Sequence, residues 1–469
     1  MSAEKVLHVV QIGFLLYFIA INSGYLLLNL FAFGTLRRYI AHHVLDSLPR
    51  TYSGLEPPVS LLVPAYNEEA TIAASVHSML QLEYPDFEIV VVNDGSDDAT
   101  VEVLIKEFRM VPFPEAYRRT LDCQEVRAVY RSTRFPNLRL IDKENGGKAD
   151  ALNAGINAAR SPLFCAVDAD SILQRDSLWS VVGPFLEDPR TIASGGTVRV
   201  ANGCRVEGGF LVDVSLPRKP LPMFQIVEYL RAFLFGRLGW TGLNSVMVIS
   251  GAFGLFSRAR VIEAGGYRSD CLGEDMELVV RLHRLHRLAR RDYRITFVPD
   301  PICWTEAPES LGTLKKQRVR WQRGLAESLF MNIGLLLHPR GGSPGWLAMP
   351  FMLLFEWLSP VIEVVGYVFM TAGLVFGFVP PAVVLLFFMI ALGFGMLQSL
   401  SSLALEEISF RIYRGWRQLF ALAGIALLEN FGYRQLCGYY RMIGFWRWAV
   451  GSEARWGRMT RTATWQKRR

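Results

Sequence analysis

Two hydrophobic patterns alternate along the chain. Residues 6–33 contain no Asp, Glu, Lys or Arg, and a run of that length, at ~1.5 Å rise per residue, outreaches the roughly 30 Å hydrocarbon core of a bilayer. It predicts a spanning helix. A cleavable signal would end in small residues, whereas Arg37 and Arg38 follow this run, which sets the next segment on the cytoplasmic side. Between Pro57 and Pro299 the pattern changes to short β-branched runs separated by amphipathic stretches. Residues 59–63, 87–93, 138–141, 163–167 and 192–200 read as strands, and 69–83, 98–109, 149–160 and 176–186 as helices. Such alternation predicts a mostly parallel sheet covered on both faces, with ligands bound beyond the carboxyl ends of its strands.

Past Pro299 the chain returns to the membrane. In residues 311–330, Leu314, Trp321, Leu325 and Leu329 share a face ringed by Lys315, Lys316, Arg318, Arg320 and Arg323, a composition suited to the bilayer interface. Residues 349–378 and 381–405 read as spans, the first opening on a kinked or interfacial portion because of Glu356, Pro360 and Glu363. The apolar run 419–428 is short before Glu429 and Asn430; crossing, re-entry and lying flat all fit it. The expected division is an N-terminal transmembrane helix at 6–33, a cytoplasmic α/β domain at 50–310, an interfacial helix and linker at 311–345, C-terminal transmembrane helices at 346–436 and a basic cytoplasmic tail at 437–469.

Composition sharpens this. The 469-residue chain is 51% hydrophobic and 20% charged, with mean hydropathy +0.23, which excludes a disordered chain or a small disulfide-stapled module and argues against a wholly soluble enzyme. Net charge is +7, and residues 434–469 carry nine Lys/Arg against Glu453 alone. Beside hydrophobic segments such a tail suits anionic membrane lipid rather than nucleic acid. Six scattered cysteines with no C-x-x-C pair indicate neither a zinc site nor a disulfide framework. They read as thiols in a reducing compartment.

Five motifs carry candidate chemistry. Pro64-Ala65-Tyr66-Asn67-Glu68-Glu69 and Asn93-Asp94-Gly95-Ser96 follow strands, where acids can bind a base and ribose, although the second is also ordinary turn chemistry. Asp168-Ala169-Asp170 follows another strand; its two carboxylates suit one hard divalent cation that also ligates a diphosphate, or form a solvated acidic turn. Lys148, in Asn145-Gly146-Gly147-Lys148, opens a predicted helix, where a cation opposes the macrodipole unless an anion such as phosphate sits beside it. Gly273-Glu274-Asp275 offers a carboxylate general base or a helix cap. His283 and His286, three apart without further ligands, read as polar-face residues rather than a metal site. Gln317-Arg318-Val319-Arg320-Trp321 joins a phosphate-neutralising arginine to a tryptophan that can stack on a sugar, or simply marks a cationic membrane helix.

Taken in order, PAYNEE, NDGS, DAD, GED and QRVRW are more specific than any one of them. The chain resembles the membrane-embedded, inverting family 2 glycosyltransferases, the group of bacterial cellulose, hyaluronan and poly-N-acetylglucosamine synthases, over about residues 55–330. The resemblance implies an α/β GT-A-type (Rossmann-like) catalytic domain plus a helical transmembrane region, a nucleotide-sugar donor that is usually UDP-linked, and Mg2+ or Mn2+. By motif, Asp94 would bind the uridine, with Tyr66 and Glu68 lining the base pocket. Asp168 and Asp170 would hold diphosphate and metal, Lys148 and Glu274 would contact substrate, and Asp275 would be the base. Gln317, Arg320 and Trp321 match the Q-x-x-R-W signature associated with processive members.

The implied partners are the donor, a polysaccharide or glycolipid acceptor, membrane lipid and an envelope export partner, with no nucleic acid. The implied location is the inner (cytoplasmic) membrane, multi-pass, with the catalytic domain cytoplasmic. Single-sugar transfer to a lipid carrier is the alternative reaction, and a nucleotide-sugar sensor or receptor subunit the alternative of another class. Two departures stand out: GED replaces the commoner TED, and one span precedes the catalytic domain.

Overall fold

The structure is a computed structural model that describes residues 3–43, 54–207, 210–413 and 415–451. Residues 452–469 of the predicted basic tail lie outside the described residues. Among the described residues, twelve strands occur in the order β1 Val59–Ala65, β2 Phe87–Asp94, β3 Met110–Pro112, β4 Val126–Ser132, β5 Leu138–Lys143, β6 Leu163–Val167, β7 Ile172–Leu173, β8 Thr191–Val200, β9 Arg205–Glu207, β10 Phe210–Asp213, β11 Phe253–Ser257 and β12 Arg294–Thr305. Ten of them form one sheet in the order β3-β4-β5-β2-β1-β6-β11-β8-β12-β7, and β9 and β10 pair separately.

The inner strands β5, β2, β1 and β6 are mutually parallel, with Leu61 opposite Ile89 on one side and Cys165 on the other. Their apolar runs follow from this placement. Leu61, Leu62, Val63 and residues 89–92 have no exposed surface, because helices cover the sheet, and burying each such side chain contributes on the order of 1.5–3 kcal/mol. The direction reverses at β11, which is antiparallel to both β6 and β8. Clefts form at such reversals beyond the strand ends.

All five expected strands are present, lengthened by up to two residues. The expected helix 69–83 shrinks to Ile72–Met79, because the residues before it are tied into a loop: the Thr71 hydroxyl donates to Glu68 Oε2 at 2.5 Å, and the Glu68 N–H to Thr100 Oγ1 at 2.9 Å. Pro299 does not end the sheet. β12 runs through Pro299 and Pro301 beside β8, with register shifts at Val298/Pro301 and Pro301/Cys303, since proline lacks the N–H that a regular ladder needs.

Among the described residues, two helices are long and apolar enough to cross a membrane, Lys5–Ala41 and Pro381–Ser409, or three if a bent pair is one span. That pair, Pro344–Trp357 and Ser359–Val375, bends by 42°. The kink expected near Glu356 and Pro360 has a physical cause: π-helical turns at Pro344–Ala348 and Met352–Trp357, followed by Pro360 at the start of the next helix. Trp416–Leu428 is a separate, shorter apolar helix.

Helix Leu311–Met331 is capped by Ser310, whose hydroxyl accepts from the Thr313 N–H. It is not a simple surface helix. Arg318 is 2% exposed and bonded to Glu228 at 2.6 Å, and Arg323 is also buried, because Tyr433–Ala449 packs along one side and helix Glu274–Leu288 along the other. The expected boundary at 436/437 therefore falls inside a packed helix.

Candidate functional site

Each inner strand delivers one motif to the same edge of the sheet. At the ends of β1 and β2, the Asn67 N–H donates to Ser96 Oγ at 3.0 Å, and the Asp97 N–H donates to Asn67 Oδ1 at 2.9 Å. Tyr66 is 40% exposed, its hydroxyl 3.3 Å from Asp97 Oδ2. Asp94 is turned inward. Its carboxylate accepts from Lys143 Nζ at 2.6 Å and from the N–H groups of Gly146 and Gly147 at 3.0 and 2.7 Å. Burial raises the Asp94 pKa, against the lowering effect of Lys143 and those two N–H groups. Lys143 also meets Asp150 at 2.5 Å. This buried network shapes the turn before Lys148, and Gly147 there has φ +88°, a conformation that favours glycine.

The turn launches helix Lys148–Ala158 with Lys148 at its first position. The anion that explains a lysine there is supplied by the protein: Lys148 Nζ lies 2.5 Å from Asp168 Oδ1 and 3.6 Å from Glu274 Oε1. Burial alone would lower its pKa, but Asp168, Glu274 and Asp275 outweigh burial and hold it above the ordinary lysine range. Asp168 follows β6, and the antiparallel pairing of β11 with β6 sets Gly251 and Ala252 beside it. The Lys148 ammonium donates to the Gly251 carbonyl at 3.2 Å, and the Gly251 N–H to Asp275 Oδ2 at 2.9 Å. Asp275 Oδ1 accepts from the Met276 N–H at 2.8 Å. Two backbone donors thus aim this carboxylate. Glu274 beside it is buried, which raises its pKa, with Lys148 opposing and Asp275 reinforcing the shift.

Helix Leu311–Met331 closes the wall. A cavity of about 870 Å³ is lined by Lys148, Asp168, Asp170, Glu274 and Asp275 together with Gln317, Arg320 and Trp321. It continues between the membrane helices past Asn22, Gln398 and Asn430. Trp321 is 44% exposed, with the Arg318 guanidinium 4.4 Å from its ring centroid. Tyr66, Glu68 and Asp94 are not among the lining residues.

The chain matches the family described as "Glycosyl transferase family 2" over residues 60–117, and "Glycosyltransferase like family 2" over 116–324. Poly-beta-1,6-N-acetyl-D-glucosamine synthase of Staphylococcus epidermidis is 27% identical over 317 residues, 67% of this chain and 66% of that one. The enzyme of the same name from Staphylococcus aureus strain COL is 31% identical over 274 residues, 58% of this chain and 55% of that one. The chain therefore spans under two thirds of the length of these relatives. A mannosyltransferase from Pyrobaculum calidifontis, solved in complex with GDP-Man and Mn2+, aligns over 92% of this chain and 100% of that one at 18% identity and TM-score 0.49.

The chain is a family 2 glycosyltransferase. Within this glycosyltransferase the expected site residues fall into two groups: Tyr66, Glu68 and Asp94 at the ends of β1 and β2, and the remainder around the cavity. Asp168 and Asp170 offer hard oxygen donors from one turn, and among the described residues no group of three or more His, Cys, Asp or Glu is placed to hold a metal ion by itself. Two carboxylates completed by phosphate and water fit Mg2+ or Mn2+ and do not fit a structural zinc site.

His283 and His286 are not polar-face residues. Both are buried, and His283 lies between the Tyr293 hydroxyl at 2.7 Å and the Val246 carbonyl at 2.9 Å. Sequence patterns gave no role to Gly251 of the Ser250–Gly254 run, which joins Lys148 to Asp275, and passed over Arg237, a cavity residue whose available signal was a lone charge in the apolar run 232–240.

Proposed function

We propose that this glycosyltransferase moves a sugar, with inversion, from a UDP-linked donor to a growing β-linked envelope polysaccharide, with its catalytic domain on the cytoplasmic face of the inner membrane. The observation that carries this reading is the single cavity shared by the acids, Lys148 and the Gln317–Arg320–Trp321 set, and its continuation between membrane helices.

In the proposed chemistry Asp275 removes the proton from the attacking acceptor hydroxyl, its carboxylate aimed by the Gly251 and Met276 N–H groups. Lys148 and Arg320 offset negative charge that develops on the departing diphosphate. A divalent cation, Mg2+ or Mn2+, held by Asp168 and Asp170 would add to that charge compensation. Attack from the face opposite the diphosphate turns an α-linked donor into a β-linked product without an enzyme-bound intermediate. Trp321 offers an exposed indole face for the accepting sugar. Asp94, with both oxygens bonded inside the protein, holds the 145–147 turn, and its contact with a uridine would run through that turn's edge.

The test is to incubate the full chain in lipid with a panel of nucleotide sugars and Mg2+ or Mn2+, reading donor consumption and product size. UDP-N-acetylglucosamine leads the panel because the similar staphylococcal proteins are poly-beta-1,6-N-acetyl-D-glucosamine synthases. Long products support polymer synthesis. One sugar on a lipid carrier establishes the alternative reaction, and no donor consumed refutes both. Asp275→Asn should lower transfer by on the order of 10²–10⁴ while sparing nucleotide binding; equal turnover refutes the base.

A further inference from the structure

Helix Trp416–Leu428 has 13 residues, about 20 Å at ~1.5 Å rise, and cannot by itself cross a hydrocarbon core of roughly 30 Å. Its two ends lie at different depths. Just before it, Ile412 packs against the cluster of Ala201, Cys204 and Trp304 on the catalytic domain. Just after it, the turn 429–432 meets the middle of helix Pro381–Ser409. Glu429 pairs with Arg231 and accepts from Ser399, and Asn430 and Arg434 sit against Gly395, where a Cβ would collide with both side chains. Gly395 is the central residue of that 29-residue helix. It lies about 16 Å along the axis from Glu406, which is tied to Arg199 of the catalytic sheet. That is about half of the hydrocarbon core.

The chain then turns back. In helix Tyr433–Ala449, Arg441 donates to Gln322 Oε1 at 2.9 Å and to Glu356 Oε2 at 3.1 Å. Farther on, Trp448 stacks on Phe330 with ring centroids 4.7 Å apart and meets Trp357 edge-on at 5.5 Å. Trp357 precedes Ser359–Val375, whose other end leads through residues 376–380 into Pro381–Ser409. Trp357 and Trp448 therefore lie at the catalytic-domain end of these helices, where an indole suits the membrane interface.

The turn is equipped for its depth. Irregular backbone is tolerated inside a membrane only where protein or a water-filled cavity satisfies it. Here the Gly432 N–H donates to Gln435 Oε1 at 2.8 Å, Gln435 Nε2 to the Asn430 carbonyl at 2.9 Å, and Asn430 Nδ2 to the Ala426 carbonyl at 2.8 Å. Glu429 and Asn430 are 0% and 1% exposed, and Asn430, Arg434 and Gln435 line the cavity. On the outer side Phe420, Leu428 and Phe431 are exposed, an apolar surface for acyl chains to cover.

We propose that residues 416–449 are a re-entrant helix pair: they enter the membrane from the catalytic-domain side, turn at 429–432 near the bilayer midplane, and leave on the side they entered. The turn thereby walls the cavity at that depth without reaching the far surface. A pair lying flat at the interface would not reach Gly395. A crossing would carry Trp448 to the side opposite Trp357.

The experiment places one nitroxide at a time on the full chain in lipid nanodiscs, at Trp416→Cys, Phe420→Cys, Phe431→Cys, Tyr439→Cys or Trp446→Cys, all outward-facing positions. The six native cysteines are buried, so the parent treated with label sets the background. Depth is read from collision with O2 relative to collision with a water-soluble nickel chelate. It should increase from Trp416 to a maximum at Phe431, roughly 10–15 Å deeper, and decrease again by Trp446. A shallow profile at all five positions, or a maximum within 416–428 with a shallow Phe431, overturns the proposal as a flat pair or a crossing. Where Phe431→Cys fails to insert, Leu428→Cys carries the same expectation. In oriented proteoliposomes, an impermeant maleimide should reach Trp416→Cys and Val450→Cys from one side and Phe376→Cys from the other. Val450 reacting on the side of Phe376 overturns the proposal, as does Phe376 reacting on the side of Trp416, which removes the span that sets the depth. Neither readout uses donor turnover, so the re-entrant pair and the transferase reaction stand or fall separately.

Discussion

The contact between Gly273 and Gly324 gives the most direct test of how the acids are held against the helix that carries Trp321. A Cβ built on Gly324 would meet Gly273 Cα and N at 2.8 Å and Leu272 C at 3.1 Å, and one built on Gly273 would meet Gly324 O at 2.8 Å and its Cα at 2.9 Å. Every atom met is backbone, so no side chain can rotate away. The turn and helix must then separate by roughly 0.8–1 Å to restore ordinary contact, and overpacking of this kind costs about 1–3 kcal/mol. At Gly324 the better helix propensity of alanine returns about 1 kcal/mol, so Gly324→Ala should lose only about 0–2 kcal/mol of stability. Activity should suffer more. Asp275 lies two residues after Gly273 and Trp321 three before Gly324, and a displacement near 1 Å between reacting groups costs on the order of 10²-fold. The assay is donor turnover beside thermal unfolding of the same detergent-solubilised samples. Gly312→Ala, in the same helix and with nothing within 4 Å of the new Cβ, is the control and should keep full turnover. Parental activity in both Gly273→Ala and Gly324→Ala would refute the reasoning, as would Gly273→Thr, the commoner family residue, behaving like the parent.

Asp168→Ala removes a ligand candidate and the nearest partner of Lys148; metal-dependent nucleotide affinity should fall about tenfold or more by calorimetry, and unchanged metal dependence in both Asp168→Ala and Asp170→Ala would count against the cation site. If the Trp321 indole stacks on the accepting sugar, Trp321→Ala should shorten products while the protein stays membrane-inserted, and parental product length would remove that role. His283 is held neutral in the fold, its pKa lowered from 6.5 to about 4, first by burial. The unfolded chain binds the proton first as pH falls, so this contribution is intact above about pH 6.5 and is lost toward pH 4, amounting to about 3 kcal/mol. Unfolding midpoints between pH 7.5 and 4.5 should fall less steeply in His283→Gln, and an unchanged slope would exclude His283 as the source.

What the sequence made legible follows a physical line. Inner parallel strands are buried on both faces, so 59–63, 87–93 and 163–167 appear as continuous apolar runs, and their motifs lie at the strand ends where a parallel sheet forms its cleft. Edge and reversed strands carry weaker signals. β4 is largely half-buried, with Arg127 exposed, and β12 holds two prolines that normally argue against a strand. The side-chain pairings were beyond reach for another reason. Lys148 could be recognised as needing an anion, but that the anion is Asp168 depends on the strand order β5-β2-β1-β6, which residue spacing does not specify. Asp94 shows the same limit: its motif marked a ligand contact, while the fold commits both oxygens to Lys143 and the glycine turn.

The catalytic sheet and the membrane helices are joined by buried ion pairs, and this bears on how the site is built. Arg199 of β8 meets Glu406 of helix Pro381–Ser409, both about 2% exposed, and Arg231 meets Glu429, which also accepts from Ser399. Arg318 of the QRVRW segment meets Glu228, which the Tyr433 hydroxyl also reaches at 2.6 Å. A buried pair adds little net stability, because desolvation consumes most of the attraction, but removal of one partner leaves an uncompensated charge at a cost of about 3–5 kcal/mol. Such pairs therefore penalise any other register between the two parts more than they stabilise this one. Register is what the cavity requires, since Asp275 lies on the catalytic side and Asn22 and Gln398 on the membrane side of one wall. A catalytic domain cut free of residues 381–409 would lose the Glu406 partner of Arg199 along with the lining residues Ala391, Leu392 and Gln398, so the cavity belongs to the joined structure and not to the sheet alone.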